Sequence, residues 1–354
     1  MNKCNKKLLK QLEQPTNNLV IHAGPHKTGT SYIQKKCVDN YELLKGSGVL
    51  YPKTGIRAYG HHEIPRAVSN GAWRNSRLYS SFLEEIRDGE AIFLSSENFS
   101  MLDSKGWDEF GSEFNPLILY CVRPISEILS SLWQAMILHG DDVTFPEFFA
   151  GYKGLSPVVS QQYVSHVSQL EVMLNHFGRE NLRIIDYSYH VKNKVDIFEG
   201  ILSSVFGVAI TTNDKSYFNS SRSALFIECM RMLNSVYRIR EKRKAGNIVR
   251  RLYSQEFKNL KGVQERLNTL LSGYLTQIDM SSALDDDKLM EAYLAEKYDF
   301  TYFLDASSGH SVSVNKVKKF DIVDGRAAFD PRVLECINEI YSHIEVGFEN
   351  VACQ

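Results

Sequence analysis

Five short apolar runs, each followed by a stretch long enough for a helix, constrain this 354-residue chain more than any other feature. They are Asn18-Leu19-Val20-Ile21-His22-Ala23, Val49-Leu50-Tyr51, Ala91-Ile92-Phe93-Leu94-Ser95-Ser96, Pro116 through Val122, and Leu182 through Tyr187. Runs this short and this continuously apolar suit strands buried on both faces, and parallel strands joined by helices meet that condition. The expected class is α/β, a parallel sheet flanked by helices. Ile125, Ile128, Leu129, Leu132, Trp133, Met136 and Ile137 recur at helical spacing, as do Val164, Val167, Leu170, Met173 and Leu174 before Gly178. After about residue 222 the periodicity is helical alone, over 223–237, 257–278, 283–296 and 331–347, with 311–325 read as loop or isolated hairpin. The expected organisation is therefore an α/β domain over residues 17–235 and a mainly helical C-terminal extension over 236–354.

A hydrophobic fraction of 43% supports a sizeable core, and a net charge of −1 argues against a global polyanion coat or a nucleic-acid partner. The opening MNKCNKKLLKQLEQPTNN lacks the apolar centre of a secretory signal, and no stretch approaches the ~18 apolar residues of a membrane span. The six scattered cysteines form no CxxC or Cys/His cluster, so reduced packing thiols and a cytoplasmic location are expected, with no metal site. One charge run stands out. Between Arg238 and Lys261, nine basic residues face only Glu241 and Glu256. A solvated helical face and a local anion-binding surface are both open readings.

The chemistry concentrates in Gly24-Pro25-His26-Lys27-Thr28-Gly29-Thr30-Ser31, between the first strand and a helix. A loop at that place aims backbone N–H groups and a helix N-terminus at one spot, which favours phosphate. Thr28, Thr30 and Ser31 add hydroxyls, and Lys27 adds a cation. Gly24, Gly29 and Ser31 keep the spacing of G-x-x-x-x-G-K-[ST], but Thr30 stands where the lysine belongs. The usual grip on β- and γ-phosphates is missing, which disfavours ATP or GTP hydrolysis. A lysine inside the loop can instead neutralise an oxygen that bridges a 5′-phosphate to a transferred group. A singly charged sulfuryl group needs less electrostatic help than a triphosphate, so no metal is required.

The stretch His22 to Gln34 resembles the 5′-phosphosulfate loop of sulfotransferases that use 3′-phosphoadenosine 5′-phosphosulfate (PAPS), most closely the bacterial, carbohydrate-type branch. A second motif is similar to the same family: Arg123 ends the fourth strand and Ser131 follows eight residues later, the pair that holds the 3′-phosphate. The resemblance covers residues 17–300 and is strongest at 20–36, 91–100 and 117–133. It implies a P-loop-like three-layer fold, PAPS as donor, and His26, Lys27, Thr28, Gly29, Thr30 and Ser31 around the 5′-phosphosulfate. It also implies Tyr187 near the adenine, with Ser221 and Arg222 assisting at the 3′-phosphate. Lys27 would stabilise the departing 5′-phosphate.

Sulfuryl transfer to an alcohol needs a general base. Glu97, just past the third strand, is the first choice, and His61 and His62 compete with it. Read as residues alone, Glu97 could equally cap a helix, Arg123 could form a surface ion pair, Ser131 could be a packing residue, and Ser221 could be part of a helix cap. A carbohydrate or other hydroxyl-bearing acceptor follows from the likeness, and the 238–261 run would bind it if it is already anionic. A P-loop small-molecule kinase and a catalytically degenerate polyanion binder are the alternatives. Oligomeric state is not legible in the residues.

Overall fold

The computed structural model describes residues 19–86, 91–111, 114–152, 165–210, 222–298 and 319–352. Its main sheet has five strands: β1 (Leu19–His22), β2 (Val49–Leu50), β3 (Ala91–Ser95), β4 (Leu117–Val122) and β5 (Leu182–Asp186). All neighbours are parallel, in the order β2-β3-β1-β4-β5. All five apolar runs became strands within a residue or two of the expected bounds.

Period-two alternation sends successive residues to opposite faces, and each face has its own hydrophobic cluster. Leu19, Ile21, Leu94, Ile118, Tyr120 and Ile184 point into one, with Ile64, Phe82, Trp107, Leu170, Met290 and Leu294 from the covering helices. Val20, Phe93, Leu119, Cys121 and Ile185 point into the other, beneath Ile33, Cys37, Phe198 and Leu202. The class is thus α/β, a parallel sheet flanked by helices.

The chain forms two compact units that interleave along the sequence. The first takes Met1–Pro124, Gln162–Phe218 and Lys288–Asn315, and the second Ile125–Gln161, Asn219–Asp287 and Lys316–Gln354. This differs from a single boundary near residue 235: the helices Ile125–Leu138 and Phe145–Tyr152 belong with the later helices. The reason is their packing. Trp133 sets its ring against Phe145 and Phe320, and Asn234 donates to the carbonyls of Ile137 (2.8 Å) and Asp141 (2.7 Å).

The second unit also corrects the helical reading of 257–278. That helix ends at Ser272, and β6 (Leu275–Asp279) pairs antiparallel with β7 (Lys319–Val323). β6 is mostly exposed and shows no buried face, so apolar spacing did not reveal it.

Cys37, Cys121, Cys229 and Cys336 are buried thiols outside any disulfide. Among the described residues, no helix is long and apolar enough to cross a membrane.

Candidate functional site

The phosphate-type loop leaves β1 at His22 and enters the helix Thr30–Asp39. Two glycines shape it for different reasons. A Cβ at Gly24 would sit 2.8 Å from Thr28 Oγ1 and 2.9 Å from Cys121 Cβ, so close approach requires glycine there. Gly29 has φ +83° and caps the helix backbone in the left-handed region, where L side chains are disfavoured. Lys27 adopts φ +70° without that freedom, which costs about 1–2 kcal/mol and must be repaid by its surroundings. No side chain caps this helix, and its first turn carries no acidic residue. Its leading N–H groups and positive dipole end therefore suit an anion.

The loop hydroxyls do not share one role. Thr28 is fully buried and its Oγ1 donates to the Pro25 carbonyl at 2.7 Å, closing the loop on itself. The expected phosphate donor is thus a structural clasp. Thr30 is buried in the first turn, whereas Ser31 is exposed. Lys27 is half-buried, and burial pulls its ammonium below the ordinary lysine range. The charge of Glu97 opposes that shift, and that of Arg123 adds to it.

Glu97 follows β3 at the start of the short 3₁₀ turn Glu97–Met101. Its Oε2 accepts from Gln34 Nε2 at 3.0 Å, its Oε1 lies 3.6 Å from His26 Nδ1, and Oε2 lies 3.9 Å from His62 Nδ1. Burial alone would raise its pKa. The Gln34 amide, its own backbone N–H and the two imidazoles together outweigh burial and hold it below the usual carboxylate range. Glu97 is therefore a mostly buried carboxylate that is ionised at neutral pH. For His26, burial wins over the neighbouring carboxylate and lowers its pKa, so the neutral ring is favoured.

The competing bases separate cleanly. His61 is fully buried; Nδ1 accepts from the Ser95 N–H (3.1 Å) and Nε2 donates to the Pro52 carbonyl (2.8 Å). Both ring nitrogens are committed, and burial brings its pKa down to about 4, which removes His61 as a base. His62 stays beside Glu97, its Nδ1 2.9 Å from Ser96 Oγ. His22 lies beneath the loop between Ser95 Oγ (2.8 Å) and Cys121 Sγ (3.2 Å) and is a structural group.

Arg123 lies one residue beyond β4, and its Nη1 donates to the Lys27 carbonyl at 2.7 Å. Its guanidinium sits 5.1 Å from the centroid of the Tyr187 ring, and that ring packs over Gly29, where a Cβ would come within 2.6 Å of Cε2. Tyr187 thus braces the loop, a role the likeness to an adenine-side position did not include. The Arg123 carbonyl accepts from His166 Nε2 at 2.8 Å.

The other expected phosphate contacts belong to the second unit. Ser131 is half-buried on the helix Ile125–Leu138. The N-terminus of that helix is already served: Asp287 accepts from the Ile125 N–H and, at 2.7 Å, from Ser126 Oγ. The positive end of that helix thus faces a buried carboxylate of the protein. Arg222 is exposed, 5.7 Å from the Phe226 ring, and precedes Ser223, whose Oγ caps Phe226. Ser221 lies outside the described residues.

Two participants escaped sequence reasoning. Gln34, the last residue of the loop-like stretch, is buried and fixes Glu97; its amide occupies the space that a Cβ on Gly60 would fill, at 2.6 Å from Cδ. His166 anchors the backbone of Arg123. Gln34 and Glu97 lie 63 residues apart, so no local pattern marked their pairing, and nothing local marked His166. Comparison with family models, curated proteins and solved structures returned no match.

Proposed function

We propose that this chain is a PAPS-dependent sulfotransferase that moves a sulfuryl group to a hydroxyl (or amine) of an acceptor. One observation carries the reading: an uncapped helix N-terminus whose loop holds its lysine at Lys27, inside the loop, with the ionised Glu97 interacting electrostatically with it. A nucleotide triphosphatase grip would place that cation after Gly29, where Thr30 stands. The strand order β2-β3-β1-β4-β5, with the loop after the central strand, supports a P-loop-like three-layer fold as part of the same reading. The carbohydrate or glycoconjugate acceptor comes from the family likeness.

Bound, PAPS supplies a sulfuryl group joined to the bridging oxygen of its 5′-phosphate. In the proposed reaction Glu97 takes the acceptor proton while the acceptor oxygen bonds to sulfur. The bond from sulfur to the bridging oxygen breaks in line, and Lys27 neutralises the charge left on that oxygen. The products are the sulfated acceptor, the 3′,5′-bisphosphate and a protonated Glu97. His62 and Gln34 hold the carboxylate.

The test is sulfate transfer from labelled PAPS across a panel of neutral and anionic saccharides and amines. Glu97→Gln is expected to lower kcat by about 10²–10⁴-fold while keeping bisphosphate affinity. A fully active Glu97→Gln enzyme removes Glu97 as base, and transfer to nothing in the panel with no bisphosphate binding removes the reading. Ser131→Ala and Arg222→Ala test the 3′-phosphate roles that the likeness assigns them.

A further inference from the structure

Arg123 does more in this structure than await a 3′-phosphate. Lys27 is the one loop residue held at a left-handed φ without being glycine, and its carbonyl is the acceptor for Arg123 Nη1 at 2.7 Å. The same guanidinium lies 5.1 Å from the centroid of the Tyr187 ring, and that ring packs so close to Gly29, the second left-handed residue of the loop, that a Cβ there would lie 2.6 Å from Cε2. Behind Arg123, His166 holds the Arg123 carbonyl at 2.8 Å, and the Tyr120 hydroxyl lies 3.0 Å from the second nitrogen of His166. His166 and Tyr120 are both fully enclosed, so this chain is anchored in the core of the sheet.

We propose that Arg123 is a positioning residue for the phosphate loop: with Tyr187 it locks Lys27 and Gly29 in their left-handed turn and so presents the Lys27 ammonium and the helix amides to the 5′-phosphate. The consequence is a coupling between two ligand positions. The residue assigned to the 3′-phosphate also sets the shape of the 5′-phosphate loop, so a ligand lacking the 3′-phosphate still depends on it. This proposal rests on the sulfotransferase reading only in naming the ligand; the loop geometry itself stands apart from it.

Hydrogen exchange followed by mass spectrometry on the full chain tests the geometric part without any ligand. Arg123→Ala is expected to speed exchange of the amides over residues 27–33 by about ten-fold, as loss of one hydrogen bond would, while β1 and β5 exchange as in the wild type. Arg123→Lys keeps a single donor for the Lys27 carbonyl and should restore most of the protection. Unchanged loop exchange in Arg123→Ala, or a rise spread over the whole sheet, overturns the proposal, as does a lysine variant no better than alanine.

Calorimetry with adenosine 3′,5′-bisphosphate and with 5′-AMP supplies the functional arm. If Arg123 positions the loop, Arg123→Ala weakens both ligands. A loss confined to the bisphosphate shows a residue that only contacts the 3′-phosphate and overturns the coupling. A wild-type protein that binds neither nucleotide overturns the functional reading and leaves the exchange result to decide the loop.

Discussion

Glu97 and Lys27 carry opposite charges in one half-buried site, and each is displaced toward lower pKa for a different reason. Hydrogen bonding and imidazole neighbours hold the carboxylate below its usual range, and burial with the nearby Arg123 lowers the ammonium. A rate that needs ionised Glu97 and charged Lys27 is therefore flat through neutrality. Its acid limb should fall below the ~4.3 of an ordinary glutamate, and its alkaline limb below the ~10.4 of an ordinary lysine. The pH dependence of kcat shows this; an acid limb centred near 6.5 would mean a histidine base instead. Gln34→Leu removes the bond that depresses Glu97, so the acid limb should move upward.

Histidines also govern stability. His22, His61 and His166 are buried neutral with pKa values near 4, far below the ~6.5 they have when unfolded. A depressed folded pKa contributes stability that is complete above about pH 6.5 and lost as pH falls toward 4, because only the unfolded chain then binds protons. Tm should fall steadily between pH 7 and 5, and less steeply in His61→Gln. A Tm that is flat over that interval contradicts the assignment. At this scale residue types were legible and partners were not. Thr28 reads as a phosphate donor until Pro25 is seen accepting its proton, and His61 reads as a loop base until both nitrogens are accounted for.

Two helix N-termini in this chain are treated in opposite ways. The helix Thr30–Asp39 starts uncapped behind a left-handed Gly29, whereas Ile125–Leu138 starts on the Asp287 carboxylate. The first begins without a side-chain cap, and the second is closed by a carboxylate of the protein. Gly29→Ala puts a Cβ into the Tyr187 ring at a φ alanine resists, so it should cost about 1–2 kcal/mol of stability and most of the bisphosphate affinity. Asp287→Ala strips a buried N–H and a hydroxyl of their acceptor and should cost about 1–3 kcal/mol in denaturant unfolding, with Asp287→Asn milder. A neutral Asp287→Ala would show that water replaces the carboxylate. The strands and the loop were readable because buried parallel strands demand continuous apolar runs. Asp287 was not, since its partner lies over 160 residues away and the helix Ser281–Lys297 shows only ordinary periodicity around it.

For the molecule as a whole, the interleaving of the two units follows from which faces match, and periodicity is silent on that. Met290 and Leu294 join the core of the sheet, and Trp133 joins Phe145 and Phe320. The basic run is likewise less bare than its composition: Arg238 pairs with Asp142, Arg240 with Glu345 and Lys244 with Asp141, all acids distant in sequence. Exposed pairs of this kind are each worth little, so they leave the run a weak case for a function of its own. The central claim is that the loop is built for a nucleotide 3′,5′-bisphosphate. Calorimetric titration of the full chain with adenosine 3′,5′-bisphosphate, beside ATP with magnesium, tests it most directly. The account predicts saturable binding of the bisphosphate at least ten-fold tighter than ATP–magnesium, sharply weakened in Lys27→Ala; tighter binding of ATP–magnesium, or no binding of the bisphosphate, would contradict it.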